Sequence, residues 1–324
     1  MAIALNSSTL VTVFGGSGFV GRYVVQALAR TGCRVRVAVR QPHLANFLQP
    51  TGSVGQIHPV QANLRYENSI RLAVEGADGV VNLVGILQAS GKQSFRAIQT
   101  EGAGLIADAA RDAGARSLVH LSAIGANRSS KSAYARTKAD GEDRVTAAFP
   151  ACIILRPSII FGQEDEFFNR FASMARFSPF MPLIGGGRTR FQPVYVADVA
   201  QAVVAGLEGR ARPGAPYELG GPTIYTFREL LDMIADYSER KRPYLPIPFW
   251  AAKLMGALTQ WLPGAPITLD QVRLLQTDNV VSADAIAEAR TLASLGIQPR
   301  AVEAIVPRYL VRFRPKGEFS TRRA

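Results

Sequence analysis

The chain has 324 residues, 48% of them apolar and 19% charged, which is the composition of a globular protein with material for about two domains. No run of eighteen apolar residues occurs, which excludes a spanning helix, and two cysteines with three scattered histidines offer neither a disulfide framework nor a metal-ligand spacing. The formal charge of +12 points to an acidic partner, an anionic lipid surface or a polyphosphate ligand, with a plain solvated basic surface as the alternative.

The segment Met1 to Ser8 is too short for a cleavable signal or transit peptide, so the expectation is a protein that works where it is made. The β-formers Leu10 to Phe14 then feed Gly15, Gly16, Gly18 and Gly21, and Val20, Val24 and Leu28 recur at helical spacing. This is a strand, a tight glycine turn and a helix. Such a turn lets a pyrophosphate approach the backbone and rest on the free N–H groups of the helix N-terminus. Gly15, Ser17, Gly18, Phe19, Val20 and Gly21 are therefore expected to contact a dinucleotide. The spacing fits both G-x-G-x-x-G from Gly16 and G-x-x-G-x-x-G from Gly15, and only downstream residues choose between them.

Strands and helices then alternate as a parallel sheet requires, giving an α/β, Rossmann-type doubly wound fold. The second strand, RVRVAVR, ends at Arg40 followed by Gln41. An acidic residue there would bind the ribose 2′-OH of NAD, whereas Arg40 suits a 2′-phosphate and favours NADPH. Arg22 can add charge, although exposure is the ordinary fate of either arginine. A third strand, Gln56 to Val60, leads to Asn63 and Leu64 on the adenine side, and a fourth, Val80 to Gly85, puts Val84 and Gly85 on the ribose side. Phe95 to Ala113 reads as a long helix, and the fifth strand finishes at Ser122. Tyr134 and Lys138 follow four apart on one helical face, where an ammonium would stabilise a phenolate.

The final third supplies a smaller α-rich domain. The expected division is 1–220 and 221–324, with 163–192 contributing to the second part. Thr226 with Glu229 and Thr268 with Gln271 form capping-box patterns, and Ser282 can cap a further helix that stops near Gly296. Trp250, Leu254, Leu258 and Trp261 sit at helical spacing, as a core face or as an interfacial helix at a membrane surface. A basic tail from Arg308 to Arg323 would add peripheral attachment to anionic lipid. No nucleic-acid recognition motif occurs, and aromatics do not interleave with the tail arginines.

These motifs resemble the short-chain dehydrogenase/reductase superfamily in its extended or atypical branch. The resemblance chooses Gly15, Gly18 and Gly21 as the glycine motif and implies Ser122, Tyr134 and Lys138 as the active-site triad. It also implies that Pro157 and Ser158, in LRPSIIFGQ, lie nearest the nicotinamide. Asn63 departs from the usual aspartate, but its amide oxygen can still accept from the adenine amine.

A narrower resemblance, strongest in GQEDEFFNRFASM and running from the glycine turn to about Asn279, is to the NADPH-binding accessory subunits of respiratory complex I (NADH:ubiquinone oxidoreductase). It implies a non-catalytic subunit that stabilises the peripheral arm near the membrane and quinone region, with other complex I subunits as partners. It also implies a peripheral place on the cytoplasmic face of a bacterial inner membrane. The alternatives are an active NADP-dependent reductase or epimerase using Ser122, Tyr134 and Lys138, and an NADPH redox sensor.

Overall fold

The computed structural model describes residues 2–89, 91, 93–259 and 267–316. It divides into two compact units, one built from 1–157, 196–219 and 282–298, the other from 158–195, 220–281 and 299–324.

In the larger unit the described residues form a seven-stranded parallel sheet. Its strands are β1 (Leu10–Phe14), β2 (Arg34–Val39), β3 (Ile57–Gln61), β4 (Gly79–Asn82), β5 (Ser117–Leu121), β6 (Ile153–Pro157) and the edge strand Tyr217–Leu219. Their near-continuous apolar runs suit a sheet covered on both faces. Val11, Val13, Val37, Val80, Val81 and Val119 are all fully buried. Helices α1 (Phe19–Arg30), α2 (Glu67–Val74), α3 (Gly102–Asp112) and α4 (Ala133–Ala148) alternate with the strands. Ile70, Ile106 and Val145 carry α2, α3 and α4 into one apolar core.

Strand β1 pairs with β2 on one side and β4 on the other, so the strand order reverses at β1. A doubly wound sheet opens its ligand crevice at that reversal, beyond the carboxyl ends of the strands. The sheet therefore sets the glycine turn at its switch point.

Two elements differ from the sequence expectation. The run Val80 to Gly85 pairs only through Asn82, because the Asn82 Oδ1 takes the Val84 N–H at 3.1 Å and turns the chain out of the ladder. The helix expected from Phe95 begins as a π-type turn, Arg96–Glu101, before α3 continues it.

The stretch 163–192, expected to contribute to the second part, lies within segment 158–195 of the smaller unit, while 282–298 belongs to the larger. Glu218 holds the returning segment at the sheet edge, because its carboxylate accepts the Ser282 N–H at 2.7 Å and its own N–H reaches the Arg290 carbonyl at 3.0 Å.

The smaller unit packs Phe161, Phe168, Phe191 and Phe227 with Leu230, Val306 and Leu310. Both capping boxes are formed, at Thr226 and at Thr268, and Ser282 caps Ala283–Ala287 in the larger unit. The GQEDEFFNRF segment has an internal job here. Buried Asp165 accepts the backbone N–H groups of Gly162 and Phe168 and the Tyr309 hydroxyl, which docks the helix Val302–Leu310.

The basic tail is thereby partly spent inside the unit. Arg312 donates to Asn169 Oδ1 and Arg314 to the Tyr237 carbonyl, while Arg308 stays exposed. Arg322 and Arg323 lie outside the described residues.

The aromatic helix, Phe249–Thr259, reverses the core-face expectation. Its buried residues are small, Ala252 and Gly256, and a methyl on Gly256 would meet Leu269 N at 2.7 Å. Apart from half-buried Phe249, its large ones face out, with Trp250 72%, Leu254 56% and Leu258 70% exposed. Trp261 lies outside the described residues. No described helix is long and apolar enough to cross a membrane.

Candidate functional site

The glycine turn is tied back on itself and to the neighbouring strand. Gly15 N donates to the Ala38 carbonyl at 3.2 Å, and Gly18 N to the Gly15 carbonyl at 3.1 Å. Gly15 adopts φ +78°, which favours glycine. Gly21 has a different reason. A Cβ there would lie 2.2 Å from the Gly15 carbonyl oxygen and 2.6 Å from Gly16, both backbone.

Gly18 has neither reason. Its φ is −74°, and a Cβ would meet only the Gly15 carbonyl oxygen at an ordinary 3.4 Å. Gly18 also caps α1 without a side-chain oxygen, and no acid stands in the first turn of the helix. The N–H groups that begin every helix thus keep their capacity for an anion here. Ser17, Phe19 and Val20 are half-buried around the turn, with the Phe19 ring edge-on to Tyr23.

Beyond β2, Arg40 is exposed and makes no hydrogen bond or ion pair with another described residue. Asn63 forms a local turn, its Oδ1 accepting the Arg65 N–H at 3.2 Å with one lone pair left for another donor. Leu64 is a core residue, 8% exposed, and a methyl on Gly102 would lie 2.9 Å from its Cδ1. Val84 flanks Gly15, whose added Cβ would meet Val84 Cγ2 at 3.3 Å. Gly85 flanks Lys138, whose Nζ would stand 3.4 Å from a Cβ at Gly85.

Ser132 starts α4 by accepting the Ala135 N–H at 3.2 Å, which sets Tyr134 in the first turn and Lys138 one turn on. Lys138 is 4% exposed and donates from Nζ to the Leu121 carbonyl at 3.0 Å. Desolvation pulls its pKa down to about 8, against the opposing charge of Glu142. Half-buried Tyr134 packs edge-on to Phe95, and desolvation pushes its pKa up to about 12. Burial thus sets the direction of the shift at both groups, and the Lys138 ammonium is engaged by a backbone oxygen.

Ser122, 4% exposed, ends the same edge, and its buried Oγ has no hydrogen-bond partner among the described residues. A buried unpaired hydroxyl costs roughly 1–3 kcal/mol, which a ligand group would recover. Pro157 ends β6 and accepts the Ile124 N–H at 3.0 Å. Ser158 belongs to the smaller unit, where its hydroxyl lies 2.7 Å from Asn279 Oδ1 and accepts the Gln192 N–H at 3.3 Å.

Sequence reading missed three residues behind this edge. Gln99, 1% exposed in the π-type turn, donates to the Ile86 carbonyl at 2.8 Å and accepts the Thr137 hydroxyl at 2.8 Å. It ties the Val84–Ile86 loop to the helix that carries Tyr134 and Lys138. Asn82 and His120 are register partners on β4 and β5, 3.1 Å apart between Nδ2 and Nδ1. Because the Asn82 Oδ1 is taken by Val84 N–H, its amide donates, and the His120 proton sits on Nε2, which has no partner among the described residues. The available signal was a polar residue inside each apolar strand run, VVN and LVHL.

The buried lysine makes a first prediction. Its folded pKa of about 8 lies below the ordinary 10.5, so between those values the unfolded chain holds the extra proton and wild-type stability rises with pH. At pH 7 the buried charge is a cost. Lys138→Met should gain about 1–2 kcal/mol in urea melts of the ligand-free chain, with the gain shrinking toward pH 10.5. A loss at pH 7 would refute this.

The donor set along this edge fits a dinucleotide phosphate. It comprises open helix N–H groups, an uncommitted arginine, an unpaired buried hydroxyl and a buried ammonium. Among the described residues no group of three or more His, Cys, Asp or Glu stands ready for a metal ion.

The model of the NAD dependent epimerase/dehydratase family matches residues 11–220. The mitochondrial NADH dehydrogenase [ubiquinone] 1 alpha subcomplex subunit 9 of Arabidopsis thaliana is 35% identical over 96% of this chain and 79% of its own length. The ceramide reductase of Caulobacter vibrioides is 33% identical over 63% of this chain and 62% of its own length. Among solved structures, the dTDP-glucose 4,6-dehydratase DesIV from Streptomyces venezuelae, with NAD and TYD bound, superposes with a TM-score of 0.71. It shares 18% identity and covers 94% of this chain and 96% of its own, a likeness of fold.

Proposed function

The chain belongs to the NAD dependent epimerase/dehydratase family and, within it, to the relatives of complex I alpha subcomplex subunit 9, and on that premise we propose that it is an NADPH-holding accessory subunit of a respiratory NADH:quinone oxidoreductase. The observation that carries this reading is the 35% identity to that subunit along 96% of the chain. Similarity confined to the dinucleotide unit would support only a cofactor.

In this reading Gly15, Ser17, Gly18, Phe19, Val20 and Gly21 hold the pyrophosphate and Arg40 the 2′-phosphate. Asn63 and Leu64 border the adenine. Val84, Gly85, Ser122, Tyr134 and Lys138 hold the nicotinamide half, with Pro157 and Ser158 next to it. Bound NADPH supplies a hydride donor. The protein uses it as a brace, filling an edge whose hydroxyl and helix N–H groups otherwise lack partners. With its pKa near 12, Tyr134 stays a phenol at neutral pH, suited to hydrogen-bonding a ribose.

The partners are the other subunits of the complex, and the exposed Trp250–Leu258 face meets the surface of the membrane that carries it. In a bacterium that is the cytoplasmic face of the inner membrane.

Tyr134→Phe tests the reading. NADPH should stay bound and quinone reductase activity of the purified complex should remain within about two-fold of wild type, since a single hydrogen bond is lost and no chemistry. A large loss of complex activity with NADPH retained would overturn it.

The second reading, an active NADP-dependent reductase or epimerase, draws on the Ser122 hydroxyl, buried without a partner among the described residues, and on the similarity to a ceramide reductase. There, NADPH oxidation with long-chain carbonyl substrates would be measurable and abolished in Tyr134→Phe.

A further inference from the structure

Arg40 follows β2 directly, and Arg22 lies in the first turn of α1, bonded through its N–H to the Gly18 carbonyl at 3.1 Å. The turn and the strand end are joined, since Gly15 N donates to Ala38 near the end of β2. Two cations thus flank the place where a doubly wound fold receives the adenosine ribose.

The residues after Arg40 form a 3₁₀ segment, Pro42–Thr51, clamped to the unit by Ala45 and Leu48, which are 0% and 1% exposed. Between these anchors Phe47 is left 48% exposed. Such exposure of a large apolar ring does not serve the core. The Arg22 guanidinium lies over that ring, 5.2 Å from its centroid.

Arg22 is half-buried with its Nε covered, and ordering the rest of its guanidinium on a ligand costs entropy at the moment of binding. A ring face fixed by a clamped segment removes part of that cost beforehand.

We propose that Phe47 is a positioning residue that holds Arg22 ready for the 2′-phosphate and so sharpens the choice of NADPH over NADH. The inference rests on the NADPH reading above. It extends that reading to a residue outside the motifs that carry it.

The test is fluorescence titration of the full chain with NADPH and with NADH, for wild type, Phe47→Ala, Phe47→Leu and Phe47→Tyr. Phe47→Ala should weaken NADPH about five-fold, the scale of an exposed cation–π contact, and leave NADH unchanged. Phe47→Leu, which keeps apolar volume without a ring face, should behave as Phe47→Ala and covers the case in which the alanine variant is unstable. Phe47→Tyr should restore wild-type affinity. In an Arg22→Met background, Phe47→Ala should add nothing.

Equal losses for both nucleotides, or the same loss with Arg22 absent, would mean that Phe47 merely supports the fold and would overturn the inference. A wild-type preference for NADPH untouched by Phe47→Ala would overturn it alone. No wild-type preference for NADPH would remove the 2′-phosphate reading and the inference together.

Discussion

Gly18→Val is expected to fold with a melting temperature close to wild type and to bind NADPH roughly 100-fold or more weakly, whereas Gly21→Ala should lose about 3 kcal/mol or more of stability. The two glycines sit three residues apart in one motif, yet the structure separates their reasons. At Gly21 a single methyl would stand 2.2 Å from a carbonyl oxygen of the same turn, and no side chain can yield because both sides are backbone. At Gly18 the backbone is ordinary and a Cβ would make only an ordinary contact with the Gly15 carbonyl oxygen. The fold itself does not require glycine there. A phosphate bound on the helix N–H groups would, since a branched side chain at the head of α1 would occupy its place. Thermal melts together with calorimetric titration read both effects. If Gly18→Val melted far below wild type, or bound NADPH normally, the division of labour would be wrong.

Acid should destabilise the chain through His120. The ring is 1% exposed, and desolvation first, then the nearby Lys138 charge, pull its pKa from 6.5 down to about 3. As pH falls below 6.5 the unfolded chain takes up a proton that the folded chain refuses. This contribution to stability is therefore complete above pH 6.5 and is lost progressively toward pH 3. By pH 4 the loss from this one group should reach about 3 kcal/mol. His120→Gln keeps an acceptor for the Asn82 amide without the titration. The gap between wild type and His120→Gln in urea melts should narrow or invert between pH 7 and pH 4, while carboxylate titration affects both chains alike. Parallel curves across that range would contradict the assignment.

The strands and glycine turn were legible because buried parallel strands and phosphate-binding turns impose local, short-period demands on the sequence. Leu10–Phe14, Arg34–Val39 and Ser117–Leu121 lie close to where periodicity put them. The capping boxes at Thr226 and Thr268 were equally readable, since cap and N3 residue stand three apart in the chain. The spacing of Tyr134 and Lys138 left their burial unread. Spacing reports that two groups share a helix face, but it cannot weigh desolvation against charge, and here desolvation dominates at both groups. Gln99 was invisible for a related reason, because its partners Ile86 and Thr137 are brought to it from two other segments.

The aromatic stripe shows the same limit in packing. Trp250, Leu254 and Leu258 at helical spacing say that one face is apolar, not which way that face turns. That was decided by Gly256, which lets the helix approach Leu269 closely and leaves the large side chains outward.

By itself the sequence determined the doubly wound order of strands, the dinucleotide turn, the arginine after the second strand and the membership of the chain in its family, all properties carried by neighbours in the chain. Only the tertiary structure decided that Gly18 is free of the fold while Gly21 is not, that GQEDEFFNRF docks the C-terminal helix through Asp165, that Arg312 and Arg314 are spent internally, and that Phe47 lies under Arg22. Those outcomes depend on distances between residues far apart in sequence and on the cost of removing their polar groups from water, and neither quantity is written in local pattern.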